Sequence, residues 1–279
     1  MTGRQRRRSG GTAVVAGVVA CVCLGAGGCV GSGAAIGASR ADDPVGELRR
    51  AADRLVHAGS SRTRTSMEMA IGGTRVTIRG EGVYDYRERL GRLTVLLPQD
   101  PAGTSGNRPI TELLAPGALF MKNRGAGVPA DKWVRVDTAT LSDGNLVTGG
   151  ATDPLAAAEV LRGTRQATYL GRTEVAGTEV RHYRGTADLA AAARKTPAGS
   201  GGPLAAAAKG FATAVVPFDA YLDGQGRIRK VRHRFSFVNG QRETAVAVAS
   251  TTLLYDFGAP ARVRLPKAGD IYAGRIAEH

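Results

Sequence analysis

Beyond residue 29 this 279-residue sequence contains no cysteine, because Cys21, Cys23 and Cys29 all lie near its start. A folded part without thiols excludes disulfide scaffolds, zinc ribbons and cysteine nucleophiles. Histidine is almost as scarce. His57, His182, His233 and His279 are scattered, with no pair at metal-ligand spacing and no HExxH, so no metal and no cofactor is implied. Structural roles suit the internal three. A nucleophile elbow, a phosphate-binding loop and a dinucleotide fingerprint are all missing, and the glycine-rich Gly25–Gly37 does not join a strand to a helix. The chain is therefore read as non-enzymatic. Asp219–Gly226 (DAYLDGQG) lacks the alternating oxygen ligands and closing Glu of a calcium loop, and reads as a hairpin turn.

Long apolar runs are also missing, with one exception. Ala13–Leu24 (AVVAGVVACVCL) follows Arg4, Arg6, Arg7 and Arg8 and ends in Gly25, Ala26, Gly27 and Gly28, the charge, core and small-residue order of a secretory signal. It is shorter than the roughly 20 apolar residues needed to span a bilayer. Ser9, Gly10 and Gly11 stand where a twin-arginine signal has a large hydrophobe, so ordinary secretion fits better. A cysteine after small residues offers a thiol for a diacylglyceryl group and, once cleavage frees it, an amine for a further acyl chain such as palmitate. Ala26-Gly27-Gly28-Cys29 resembles the lipobox of bacterial lipoproteins, with Ala in place of the usual Leu three residues before the cysteine. Val18-Val19-Ala20-Cys21 is a rival that shortens the apolar core to about nine residues. Cys29 is preferred as the lipid attachment site. The sequence then divides into a signal peptide over 1–28, a lipidated flexible tether over 29–42 and one domain over 43–279.

Acids are outnumbered, 24 against 38 Lys and Arg, for a net charge of +14 that falls to +10 once residues 1–28 are removed. Outside a membrane the available polyanions are lipid head groups and acidic wall polymers, not nucleic acid. Lys230, Arg232 and Arg234 share one face of a predicted strand and are candidate head-group contacts, while Val231, His233, Phe235 and Phe237 share the other. A solvated outer face accounts for the same cations without any partner.

A one-sided helix is expected from the Asp43-Pro44 cap to Gly59, with Leu48, Ala52, Leu55 and Val56 as its stripe. Period-two alternation then predicts strands through Met67, Met69 and Ile71 and through Val76 and Ile78, joined at Gly72-Gly73. Further strands are expected over 89–97, 118–123, 132–137, 167–172, 179–186, 218–222, 228–238 and 243–255, with a short last one over 263–265. Helices are expected over 154–162 and in the Ala-rich stretches 187–194 and 203–215. The fold class is α+β, an antiparallel sheet of about eight to eleven strands with helices on one face.

Ala118-Leu119-Phe120-Met121-Lys122 before Lys132-Trp133-Val134-Arg135-Val136-Asp137, Asp153-Pro154 opening a helix, Gly171–Gly177 before His182-Tyr183, and Asp219-Ala220-Tyr221-Leu222-Asp223 before Gly226-Arg227-Ile228 form one order. In that order the chain resembles the actinobacterial lipoproteins of the LppX, LprA, LprF and LprG group, whose fold is similar to the LolA and LolB carriers. The resemblance implies a strongly curved half-barrel with helices covering its concave face and an apolar cavity for acyl chains. It implies a monomer on the outer face of the cell membrane, with a lipid or glycolipid as candidate ligand. Met67, Met69, Ile71, Val76, Ile78, Phe235 and Phe237 are the candidate cavity-lining residues; a solid core would use the same stripe. The alternative is an envelope interaction or sensing module that binds no lipid.

Overall fold

A computed structural model describes residues 43–71, 74–98, 108–125, 127–197, 200–239 and 244–274. Cys29, the tether, the Gly72-Gly73 turn and His279 lie outside the described residues. One eleven-stranded sheet carries the fold, in the order β6-β5-β4-β3-β2-β1-β11-β10-β9-β8-β7. The strands are β1 (Ser60–Ile71), β2 (Thr74–Asp85), β3 (Leu90–Leu96), β4 (Ile110–Ala115), β5 (Ala118–Lys122), β6 (Val134–Asp137), β7 (Thr164–Val175), β8 (Thr178–Asp188), β9 (Val215–Leu222), β10 (Ile228–Asn239) and β11 (Thr244–Tyr255). Every neighbouring pair is antiparallel. The sheet is curved and does not close.

Strand direction of side chains follows the alternation read from the sequence. On β1, Ser61, Thr63, Thr65 and Met67 are buried, while Arg62 and Arg64 are exposed. On β10, Val231, His233 and Phe235 face in, and Lys230, Arg232 and Arg234 face out. The inner face is covered by α1 (Pro44–Arg49), α2 (Ala51–Ala58), α3 (Pro154–Val160), α4 (Leu189–Lys195) and α5 (Gly202–Gly210). The first expected helix is thus two, joined at Arg50. Of the expected stripe, Leu48, Ala52 and Leu55 are buried and Val56 is partly buried, and Ala51 is buried beside them. Asp43 and Asp153 cap α1 and α3 by accepting backbone N–H bonds, with Pro at the first turn of each.

Several expectations fail locally, among them the helix expected over 203–215, which ends at Gly210 and gives way to β9 at Val215. Residues 263–265 are not a strand; the tail instead reaches the β6 edge, where Trp133 N–H donates to Asp270 O at 2.8 Å and Tyr272 N–H to Trp133 O at 2.8 Å. That cover protects an edge that would otherwise be open to pairing. It also buries a small outer cluster of Leu113, Ala118 and Phe120 with Trp133 and Ile271 packed on it. Strand β4, unforeseen in the sequence, pairs on both sides, with β3 and β5.

Strands β6 and β7 follow one another in the sequence yet occupy opposite edges of the sheet. Residues 138–163, which join them, must therefore cross the inner side. The crossing consists of an irregular, largely buried stretch, α3 and a 3-10 turn over Leu161–Gly163. Arg162 ties the crossing to α2 through Asp53, at 2.6 Å, and to Glu159 within α3. Among the described residues no helix is long and apolar enough to cross a membrane.

Candidate functional site

Antiparallel register lays the inner-face residues in rows across the sheet. One row runs Ile78, Met67, Ser250, His233 and Phe218, and the next Ile110, Val95, Gly80, Thr65, Thr252 and Val231. A third runs Met121, Glu112, Leu93, Gly82, Thr63 and Leu254. The wall is mostly apolar, but its middle carries hydroxyls and two glycines. At Gly80 a Cβ would lie 2.6 Å from Thr65 Oγ1 and 2.9 Å from Ala151 Cβ, so a side chain there requires its neighbours to shift. This dent seats the crossing segment on the sheet.

The segment that fills it is held by its own polar groups. The Asp143 carboxylate accepts from Asn145 N–H at 3.0 Å, Val147 N–H at 2.8 Å and Thr148 N–H at 2.6 Å. The Thr152 hydroxyl donates to Leu146 O at 2.9 Å and contacts Ser250 Oγ. Gly150, with φ of 91°, is a joint in this segment, and a Cβ built on it would stand 3.4 Å from Val95 Cγ1 and 3.5 Å from Ile78 Cγ2. A side chain at that φ is strained. Leu146 is fully buried, so an irregular turn occupies the place a helix takes in an ordinary two-layer core.

Beside this segment lies a small, partly open pocket of about 80 Å³. Tyr84, Leu114, Asn145, Leu155 and Leu204 contribute to its wall. It is well below the 300–1,000 Å³ typical of sites that engulf a ligand. None of the candidate lining residues borders it. Met67, Ile78 and Phe235 are buried on the inner face, and Val76, Met69 and Phe237 are partly buried there. Nothing is described for the Ile71 side chain. Phe235 and Phe237 pack against Phe211, with ring centroids 4.8 and 4.6 Å apart, and fill their end of the interior as solid core.

Several inner-face polar atoms have no protein partner: the hydroxyls of Thr63, Thr65 and Thr252, both oxygens of Glu112, Asn145 Oδ1 and His233 Nε2. Each such atom costs about 1–3 kcal/mol when buried unsatisfied. Burial pushes the Glu112 carboxyl up to about 8, with the Arg124 guanidinium pulling weakly the other way. Burial pushes His233 down to about 3. At neutral pH Glu112 is thus largely protonated and His233 uncharged. Glu112 was not singled out in the sequence, where an acid among apolar residues carries no spacing signal.

On the outer face, the candidate head-group cations are already engaged. Arg232 pairs with Glu68 at 3.3 Å, Arg234 with Asp219 at 2.8 Å, and Lys230 lies over the Tyr221 ring at 5.1 Å. Asp219 also accepts from His182 Nε2 and Arg184 Nε, each at 2.9 Å. Burial alone would raise this carboxyl, but the His182, Arg184 and Arg234 hydrogen bonds hold it below its usual range. Asp223 accepts from Gln225 N–H and Arg227 N–H and closes the hairpin turn read at Asp219–Gly226. His57 Nδ1 contacts Asp53 O at 2.6 Å.

No protein-family model matches the chain, and no curated protein does. Solved structures do. The chain is similar to lipoprotein LppX of Mycobacterium tuberculosis, with 10% identity over 79% of this chain and 97% of that one and a TM-score of 0.46. It is similar to LprF of Mycobacterium bovis, with 12% identity over 80% and 96% and a TM-score of 0.42. A putative outer membrane lipoprotein-sorting protein domain from Vibrio parahaemolyticus follows at 10% identity over 78% and 93%, with a TM-score of 0.32.

Proposed function

We propose that this chain is a non-enzymatic, extracytoplasmic lipoprotein that binds or transfers lipid, held at the outer face of the cell membrane by lipid on Cys29. Acyl chains enter between the inner face of the sheet and the 138–153 segment. The observation that supports this reading is the nature of that interface. An apolar wall is capped at its centre by an irregular turn with a glycine joint, seated beside Thr65, whose buried hydroxyl it leaves without a partner. Moving it uncovers Ile78 and Val95, and each methylene of a lipid buried there contributes about 0.8 kcal/mol. Native mass spectrometry of the purified protein tests the reading: it expects co-purified lipid, and a protein that stays bare after incubation with lipid vesicles sinks it. Replacing Cys29 with Ser is expected to release the protein from the membrane or leave it uncleaved, and unchanged maturation and retention count against attachment there.

A second reading, an envelope interaction or sensing module without lipid, is favoured by the small size of the pocket beside that segment, about 80 Å³. The bare protein in the same experiment is its expected result.

A further inference from the structure

A polar groove of about 590 Å³ lies between the α1–α2 pair and the turn that joins β9 to β10, and it shares no lining residue with the pocket beside the crossing segment. Arg54 and His57 line it from α2, Glu47 from α1, Arg181 from β8, and Gly226 and Arg227 from the turn. Three guanidinium groups thus face one carboxylate, and that carboxylate is occupied. Glu47 accepts from Arg181 Nη1 at 2.9 Å and from the Tyr183 hydroxyl at 2.7 Å. Arg181 also donates to Asp223 O at 3.3 Å, which ties it to the turn. Next to the groove, the buried Asp223 carboxylate accepts from Arg227 Nε at 2.8 Å, and the Arg227 guanidinium lies over the Phe257 ring at 4.3 Å. Two of the three arginines are therefore held in place before any ligand arrives, which lowers the ordering cost of meeting an anion.

Arg54 is held differently. It is exposed and has no acid partner among the described residues, yet its side chain reaches across to the turn. A Cβ at Gly226 would stand 3.7 Å from Arg54 Nε and 3.8 Å from Glu47 Oε1. Glycine at that position, with φ of 74°, keeps this side of the groove free of a side chain. His57 follows Arg54 by three residues on the same face of α2. Its Nδ1 is taken up by Asp53 O, which leaves Nε2 unengaged among the described residues.

We infer that this groove is a phosphate-binding site, in which Arg54 is the recognition group and Arg181 and Arg227 supply fixed positive charge. The cations come from three elements, α2, β8 and the β9–β10 turn. That arrangement suits the several oxygens of a tetrahedral phosphoryl group better than the two coplanar oxygens of a carboxylate. The site lies apart from the interior and does not depend on the lipid-binding reading. Its phosphoryl group has two sources outside a membrane, free phosphate or a phosphate monoester, and the phosphodiester of a lipid head group. With lipid on Cys29 the second is within reach, because α1 starts directly after the tether over 29–42, and a flexible chain of that length spans on the order of 20 Å.

Calorimetric titration of the full-length protein in about 0.15 M chloride, where loosely attracted ions are screened, tests the inference with three soluble probes. They are inorganic phosphate, sn-glycerol 3-phosphate and glycerophosphoglycerol, the head group of phosphatidylglycerol without its chains. At least one is expected to bind at one equivalent with a Kd of about 1 mM or below. Tighter binding of inorganic phosphate or the monoester points to a free phosphate, and equal or tighter binding of the diester points to a head group; both outcomes keep the site. Arg54→Ala should weaken binding about tenfold, the loss of one hydrogen bond to a charged group. Arg54→Lys, which keeps the charge without the fork, should recover part of it. Arg75→Ala, which removes an exposed cation from β2, should leave binding unchanged. A protein that takes none of the three probes overturns the inference. So does an Arg54→Ala variant that binds as tightly as the unaltered protein, or an Arg75→Ala variant that loses as much, since diffuse surface charge then accounts for the binding.

Discussion

Glu112 and His233 are both buried on the inner face as uncharged groups, and they bend the pH dependence of stability in opposite directions. The folded-state value of Glu112, about 8, lies above its ordinary 4.5. The native state therefore holds a proton that the unfolded state has lost, and this contribution is complete below pH 4.5 and declines as pH rises toward 8. His233, at about 3 against an ordinary 6.5, does the reverse: its contribution is complete above pH 6.5 and is lost as pH falls toward 3. Each slope is at most about 1.4 kcal/mol per pH unit. Between pH 4.5 and 6.5 they oppose one another, so a plateau is expected there, with a fall on either side. The acid side is steepened by Asp53 and Asp219, whose carboxylates are held below their usual range and lose their partners on protonation. Urea midpoints measured from pH 3 to 9 check this. Glu112→Gln should flatten the limb between pH 6.5 and 8 and leave the acid limb unchanged; an unaltered alkaline limb would mean that Glu112 is ionised in the native state.

Among the elements, the segment joining β6 to β7 is the one that the proposed entry of a lipid would displace. Gly80 and Ala151 approach so closely that a Cβ on Gly80 would stand 2.9 Å from that of Ala151. A disulfide needs about 3.5–4.5 Å between these atoms, so Gly80→Cys with Ala151→Cys requires a shift of under about 1 Å. Oxidation of the double variant should slow uptake of dioleoylglycerol more than tenfold, and reductant should restore it. Uptake that is indifferent to oxidation would place the entrance elsewhere. This segment was not legible in the sequence, because residues 138–153 have neither a period of two nor one of 3.6. What fixes it is topology, since only the placement of β6 and β7 at opposite edges sends the chain across the inner side. Strand β4 was hidden for a different reason: in ITELLA both Leu113 and Leu114 are buried, one under the C-terminal tail and one in the core, so alternation is lost. Where one face meets solvent, as on β10 from Lys230 to Phe235, alternation placed the inward and outward residues, and it breaks only at the bulge before Lys230, where Ile228 turns in. The split at Arg50 left the buried stripe of the first helix intact, which is why its period was visible although the break was not.

For the molecule as a whole, the outer face of the sheet carries the charge that the composition announces. Arg62 and Arg64 on β1, Arg75 and Arg79 on β2, Arg92 on β3, Arg184 on β8, and Lys230, Arg232 and Arg234 on β10 all project outward. Their opposing acids are Asp256, Glu81, Glu68 and Asp219, which pair with Arg62, Arg64, Arg232, and Arg184 with Arg234. Exposed pairs of this kind add little to stability, but they cancel much of the field of the cations they engage. Arg75, Arg79 and Arg92 are exposed and have no ion pair among the described residues. If the outer face leans on anionic lipid, these three should contribute more than Arg232 or Arg234, at about 1 kcal/mol each near a charged surface. Co-sedimentation of the Cys29→Ser protein with vesicles of phosphatidylglycerol and phosphatidylcholine measures this without the lipid anchor. Reversing Arg75, Arg79 and Arg92 to Glu is expected to lower binding by a hundredfold or so. Changing Arg232 and Arg234 to Gln should cost less than tenfold, since Glu68 and Asp219 already oppose them. Binding in the unaltered protein should also fall steeply between 0.05 and 0.2 M salt as the Debye length shrinks to about 7 Å. Equal binding to purely phosphatidylcholine vesicles would show that the outer cations serve only as a solvated surface, and would leave the proposed lipid on Cys29 as the one candidate attachment to the membrane.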